Sequence, residues 1–399
     1  MAELKTGPFS DRIVGYCTNV HAGTTLKQMK SNFDTHAQKV RQQFCPEDTL
    51  GIGLWLPACE AESIVQDNQI ESFNEWLNTR NLEVFTINGF PYGDFHQPVV
   101  KHAVYVPDWT SPEREAYTKN LITILAGMLP EESEGSISTL PVAWNGSIDG
   151  KSGVGDSGVM LKRTAQIAHV VEEQSGRLIH IDLEPEPGCI LQRSDDVIDY
   201  FSSHLLSGED IDLIRSHLRI CHDICHAAVM FEDQADMFRR YDEAGIKIGK
   251  VQVSNAIRVD FDALCKDEKV EALQQLKAFE EDRYLHQTCI RDNSTGKITF
   301  HEDLPLATKA AEQSGEPIGE WRVHFHVPIY LESFGLLQTT RNYIDDCLEL
   351  VKAKPEVKHF EVETYAWNVL PPELQKQDLA EGIADELIWL RDRMPGISP

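Results

Sequence analysis

Eight short runs rich in apolar and β-branched residues recur along this chain, and a segment with helical spacing follows nearly every one. That alternation constrains the fold more than any other feature. The runs are RIVGYCTNV (12–20), TLGIGLWL (49–56), LEVFTING (82–89), ISTLPVAW (137–144), LIHIDL (178–183), LRICHD (218–223), KIGKVQVSNA (247–256) and HFEVETYA (359–366). Between them lie segments such as SIVQDNQIESFNEWLNTR (63–80), GVMLKRTAQIAHVVEEQ (158–174) and TRNYIDDCLELVKAK (340–354), apolar at three- and four-residue intervals. Strands apolar on both faces need cover on both faces, and helical crossovers supply it to a parallel sheet. Eight such units predict a closed (β/α)8 TIM barrel, with an open doubly wound sheet as the alternative.

At 399 residues and 41% apolar content, the chain can bury the core of one barrel domain spanning 1–399. Two stretches interrupt the rhythm. Residues 89–112 form an aromatic and proline-rich loop after the third run, and 257–320 separates the seventh run from the eighth. Long insertions after barrel strands are where substrate walls and lids are built.

Lys and Arg number 37 against 64 Asp and Glu, a net charge of −27. Such a surface repels phosphodiester backbones and anionic membranes, so the expectation is no nucleic-acid partner and no membrane insertion. The first residues, MAELKTGPFSD, lack the charged-then-apolar pattern of an export signal, and no apolar stretch reaches the ~18 residues a membrane span needs. Nine scattered cysteines, several inside apolar runs, suit reduced thiols and a cytoplasmic location.

The chemistry-bearing residues collect where runs end. In IHIDLEPEPG (179–188), Glu184 ends a buried strand and Pro185 and Pro187 stop its pairing, which aims the carboxylate at a barrel mouth; extended geometry would turn Glu186 to the rim. In LRICHDICHA (218–227), Asp223 and His226 stand three apart, so a turn can direct both at one cation, or Asp223 can cap a helix over a packed imidazole. His324 and His326 in WRVHFHVPIY (321–330) share a face if the segment is a strand, as do Glu361 and Glu363, of which Glu363 is expected to point inward. A carboxylate and imidazole donor set suits Zn, Mn or Co better than Ca.

In this order the segments resemble the xylose isomerase-like TIM barrel superfamily of sugar isomerases, keto-sugar epimerases and DNA-repair endonucleases. LEP at 183–185 is similar to its fifth-strand glutamate, HDICHA to its sixth-strand Asp-x-x-His, HFHVPI to a His-containing segment before the last strand, and VET at 362–364 to its closing glutamate. YCTNVH (16–21), NGFPYGDFH (88–96), VKHAVYVPDW (100–109) and RYLHQT (283–288) resemble the EboE subgroup of bacterial metabolite-traffic proteins. The resemblance implies a divalent metal held by Glu184, Asp223, His226, Gln252, His326 and Glu363, with Glu184 and Glu363 as catalytic proton carriers. One departure stands out: VQVSNA places Gln252 where the epimerase-like members carry a metal-binding His, and Asn255 at their Asp. His21, Trp55, Asn88, Phe90, Tyr92, His286 and His324 are the expected substrate wall.

The function expected is therefore a metal-dependent isomerase or epimerase acting on a neutral sugar, polyol or related secondary-metabolite precursor. A non-catalytic metabolite-binding or traffic protein is the first alternative, and a metal-dependent phosphoester hydrolase the second. Expected partners are a small-molecule metabolite, a second copy of the chain, or proteins of a biosynthetic or traffic pathway.

Overall fold

A parallel strand buried on both faces cannot end at a free edge without exposing its amides, and here closure removes the edge. The computed structural model describes residues 11–148 and 150–399 together with Phe9; residues 1–8, which hold most of the segment read for an export signal, lie outside the described residues. Strands β1 (Ile13–Cys17), β2 (Leu50–Trp55), β3 (Leu82–Asn88), β4 (Glu134–Thr139), β5 (Leu178–Leu183), β6 (Leu218–Asp223) and β7 (Ile248–Val253) come first in the chain. The barrel is completed far downstream by β14 (His359–Val362), which pairs in parallel with both β1 and β7. All eight sequence runs supply one barrel strand each. The fourth starts three residues earlier than its apolar content suggested and stops before Pro141, whose ring removes an amide donor. No helix among the described residues is long and apolar enough to cross a membrane.

The segment between β7 and β14 folds as a second, smaller sheet. Strands β8 (Ile257–Asp260), β9 (Thr288–Arg291), β10 (Ile298–His301), β11 (Glu320–Val323), β12 (Ser333–Phe334) and β13 (Leu337–Thr339) pair antiparallel in the order β10-β9-β11-β8-β13-β12. The sheet therefore runs beyond residue 320, the expected end of the insertion. The strand condition on His324 and His326 is not met: β11 ends at Val323, and His324 to Ile329 follow without regular structure. Residues 89–112 contribute a short 3-10 turn, Lys101–Tyr105, and no strand.

Bulky aliphatic side chains ordinarily fill such a barrel in layers. Here the interior is strongly polar. Near the N-terminal end, His180 Nδ1 lies 2.6 Å from Asp182 Oδ1, and His359 Nδ1 lies 2.9 Å from Ser136 Oγ. Above them, fully buried Lys250 places Nζ 2.5 Å from Glu361 Oε2 and donates to Ser138 Oγ at 3.4 Å. Glycine at position 53 makes room for this pair, because a Cβ there would stand 1.3 Å from Glu361 Oε1. A buried ion pair adds little net stability, but removing one partner strands the other charge in a low dielectric. Lys250→Met is expected to cost roughly 3–5 kcal/mol in denaturant unfolding, with most of the loss recovered in Lys250→Met/Glu361→Leu. An unchanged midpoint for the single variant would show that Glu361 is not held as a charge.

Candidate metal centre

Three strand ends bring three acids to one point. Glu184 follows the last residue of β5, Asp223 is the last residue of β6, and Glu363 follows the last residue of β14. Parallel strands end on the same face of the barrel, so all three carboxylates sit at its C-terminal mouth. One oxygen from each lies within 4.8 Å of the other two, and all three residues are buried. Asp223 also does what the alternative reading allowed. Its Oδ1 caps the helix Ile224–Val229 by accepting from His226 N at 2.9 Å and also accepts from Ser254 Oγ at 2.8 Å. Its Oδ2 has no hydrogen-bond partner. Glu363 Oε1 accepts from Asn19 Nδ2 and Asn88 Nδ2, both at 2.8 Å, whereas Glu184 Oε2 has no partner.

Crowding three acids out of water shifts their protonation. Burial, with repulsion from Glu363 and Asp223, raises Glu184 well above the usual carboxyl range. Burial, followed by repulsion from Asp223 and Glu361, pushes Glu363 up to about 8. For Asp223, burial alone would act upward, but His226, His326 and the two hydrogen bonds outweigh it and hold this carboxyl below its ordinary value.

The imidazoles complete the arrangement. His226 Nδ1 lies 2.9 Å from Pro185 O, His324 Nδ1 2.7 Å from Gln287 Oε1, and His326 Nδ1 2.6 Å from Glu363 O. A carbonyl or amide oxygen accepts only, so each Nδ1 carries the hydrogen and each ring turns its Nε2 toward the cluster. Burial keeps His326 neutral, lowering it to about 4, and drives His324 well below its ordinary value. Nε2 of His226 and Nε2 of His324 are hydrogen-bonded to each other at 3.2 Å. Nε2 of His226 and of His326 each lie 3.9 Å from Asp223 Oδ2. Carboxylate oxygens and imidazole nitrogens gathered in this way are a donor set that a divalent cation could take. Gln252 is in register with Asp223 on one side and Glu361 on the other, which places it on the same interior face; neither of its amide atoms has a hydrogen-bond partner. Glu184 Oε2, Asp223 Oδ2, Gln252 Oε1 and His326 Nε2 are thus buried, unpartnered donors of the type a transition-metal ion takes.

Glu184, Glu363, His226 and His326 of this cluster line a cavity of about 60 Å³, walled by Asn19, Asn88, Phe90, Phe95, Tyr105, Glu186, His324 and Tyr365. Of the expected wall, Asn88, Phe90 and His324 line this space. His21, Trp55, Tyr92 and His286 do not line it. Trp55 is buried with Nε1 donating to Pro91 O at 3.2 Å, His21 stacks on His36 and bonds Tyr16, and Tyr92 packs edge-on against Tyr117. His286 sits behind His324, with Nδ1 3.1 Å from His324 O and Nε2 2.8 Å from Glu281 Oε1, and so braces the ring that does face the cavity. Glu186 is corrected in the other direction. The chain turns after Pro185, with Glu186 N donating to Leu191 O, and this swings the carboxylate inward to accept from Tyr105 OH at 2.8 Å and Gln287 Nε2 at 2.9 Å.

Asn19, Tyr105, Glu186 and Gln287 are the site residues that sequence reasoning did not reach. YCTNVH and RYLHQT contained two of them, but nothing in their spacing sets an amide apart from its neighbours.

No family model matches the sequence, and no curated protein does. Among solved structures, a xylose isomerase-like TIM barrel protein from Mycobacterium smegmatis in complex with magnesium aligns with a TM-score of 0.53 and 11% identity over 97% of this chain and 98% of that one. An IolI protein with a bound zinc atom aligns at 0.48 and 12% identity over 96% and 97% of the two chains. The probable 3-DHS dehydratase AsbF of Bacillus anthracis, involved in petrobactin synthesis, aligns at 0.44 and 11% over 95% and 98%. This chain is a parallel (β/α)8 barrel with acids and imidazoles at its C-terminal mouth. Its fold is that of the xylose isomerase-like TIM barrel proteins.

The pH dependence follows from Glu363. Its carboxyl is raised from 4.5 to about 8 in the metal-free fold, so between those values the folded chain binds more protons than the unfolded one. Stability of the metal-free protein should then fall as pH rises from about 4.5 to 8. Mn or Zn affinity should rise over the same window as the proton is displaced. Calorimetric titration at pH 6, 7 and 8 checks this; an affinity independent of pH would remove Glu363 from the ligand set. His326→Ala should weaken metal binding by ~10–100-fold, and an unchanged affinity would make that imidazole structural.

Proposed function

We propose that the protein is a metal-dependent isomerase or epimerase acting on a neutral polyhydroxylated carbonyl compound. The observation that carries this reading is the pair Glu184 and Glu363. Both are buried, both are shifted upward, and both border one cavity. The carboxyl of each is held at the cavity with one oxygen to spare, the arrangement a general acid–base group needs. Asn19 and Asn88 fix Glu363 by one oxygen and leave the other to take or return a proton. Glu184, on β5 across the mouth, does the same from the other side. One glutamate removes a proton from the carbon beside the carbonyl, and return by the other to the opposite face inverts that carbon. Glu184, Asp223, His326 and Glu363 would hold a divalent cation, which would supply positive charge at the substrate oxygens and so acidify the neighbouring C–H. His226 and Gln252 stand next to that set.

Substrate class is argued from the wall. Among the described residues lining the cavity the only Lys or Arg is Lys101, which is ion-paired to Asp303 at 2.5 Å. A phosphate would meet carboxylates without a cationic cradle, whereas a sugar or cyclitol can stack on Phe90 and Tyr365 and bond Asn88 and His324 through its hydroxyls. The reading extends to the cytoplasm, supported by free thiols at Cys17, Cys189, Cys221, Cys225, Cys289 and Cys347 within the buried core. A second reading, a metabolite carrier of EboE type acting with partner proteins or a second copy of itself, is favoured by Gln252, since an amide holds a transition metal more weakly than imidazole.

The test is proton NMR in D2O with the Mn- or Co-loaded protein and a panel of neutral sugars, polyols and cyclitol ketones, their phosphate esters and an oligonucleotide. Exchange of a C–H for deuterium in a neutral compound is expected, falling by ~10²–10⁴-fold in Glu184→Gln or Glu363→Gln. Binding of neutral compounds without exchange would favour the carrier. Release of phosphate from the esters would favour the hydrolase.

A further inference from the structure

We propose a second transition-metal site at the opposite end of the barrel, formed by His169, Glu172 and His217, which clamps a helix to the base of β5 and β6. His169 and Glu172 lie three apart on the helix Gly150–Ser175 and so share one face, half exposed. His217 is the last residue of the helix Ile211–His217 and immediately precedes β6, which puts it at the N-terminal end of the strand that carries Asp223 at its other end.

Three observations point to a cation. One ligand atom from each residue lies within 4.8 Å of the others. His217 Nδ1 lies 2.7 Å from Ile179 O on β5, so this nitrogen carries the hydrogen and Nε2 presents its lone pair. That Nε2 is buried and has no hydrogen-bond partner, although Glu172 Oε2 stands only 3.1 Å away, off the hydrogen-bonding direction. Two lone pairs side by side at this distance repel. A tetrahedral zinc-like ion bonded at about 2.0–2.2 Å to each would hold its ligand atoms roughly 3.3–3.6 Å apart, a small outward shift from the 3.1 Å between His217 Nε2 and Glu172 Oε2. His169 Nδ1 is already 3.7 Å from Glu172 Oε2, and its partial exposure lets the ring turn in at small cost. A protonated His217 paired with Glu172 is the competing account, and burial of the ring acts against that charge. Two imidazoles and one carboxylate select Zn or Co over Mg or Ca, with water in the fourth position.

The site is independent of the mouth, and its test is built as a difference. Full-length protein and His169→Ala/Glu172→Gln are stripped of metal, dialysed against zinc and measured by elemental analysis, with melting curves taken with and without zinc. Both altered side chains are partly exposed, so the metal-free melting temperature should barely change, and His169→Ala alone serves as a second, milder variant. The double variant should bind one equivalent less than the parent whether or not the mouth is loaded, and part of the zinc-induced rise in melting temperature should be lost. The single variant should bind that equivalent ~10–100-fold more weakly. Equal stoichiometry and equal zinc-induced stabilisation in parent and double variant would overturn the site and leave an imidazolium–carboxylate pair.

Discussion

The mutual repulsion of Glu184, Asp223 and Glu363, buried within one coordination distance of each other, is the constraint on which the rest of the mouth depends. Three carboxylates cannot stay ionised together in a low dielectric. The protein answers with protons on the two glutamates, with hydrogen bonds on Asp223, and with amides from Asn19 and Asn88 that hold Glu363 in place. One layer below, Lys250 compensates Glu361, so the interior stays near neutrality while its mouth keeps an excess of oxygen donors. An arrangement that is costly without a counter-ion becomes a site with one.

The small antiparallel sheet supplies what the barrel lacks. β7 presents Gln252, and the imidazoles come from elsewhere: His226 from the helix Ile224–Val229 that follows β6, His324 and His326 from the irregular chain that follows β11. Each ring is locked through Nδ1 by a different part of the structure, the turn after β5, Gln287 beside β9, and the backbone at Glu363. Such outer partners fix tautomer and orientation, which makes them as much a part of a metal site as its ligands.

Much of this was legible in the sequence. The eight barrel strands were visible because burial on both faces forces continuous apolar runs, and Glu184, Asp223 and Glu363 were visible because they stand where those runs stop. What escaped was set by tertiary context. Glu186 was assigned to the rim on the assumption that the chain stays extended past Pro185, but it turns. Whether His324 and His326 lie on a strand was left open by the sequence, because alternation looks the same in a strand and in an irregular segment pinned on both sides. His21, Trp55, Tyr92 and His286 have the chemistry of a substrate wall and serve as its backing, a difference of one packing layer that residue type does not encode. The polar interior did leave a signal, since His180, Asp182 and Glu184, like His359, Glu361 and Glu363, recur at period two within apolar strands. Charged residues on one face of a strand buried on both sides can only point into the barrel.

The central claim is that the three acids at the mouth hold a divalent cation, and anomalous diffraction tests it most directly. Crystals grown with manganese, measured on both sides of its absorption edge, should give a strong peak bonded to oxygens of Glu184, Asp223 and Glu363, with His226 or His326 completing the sphere. No peak there at saturating manganese, with Glu184 and Glu363 sharing a proton between their carboxyl groups, would contradict the account.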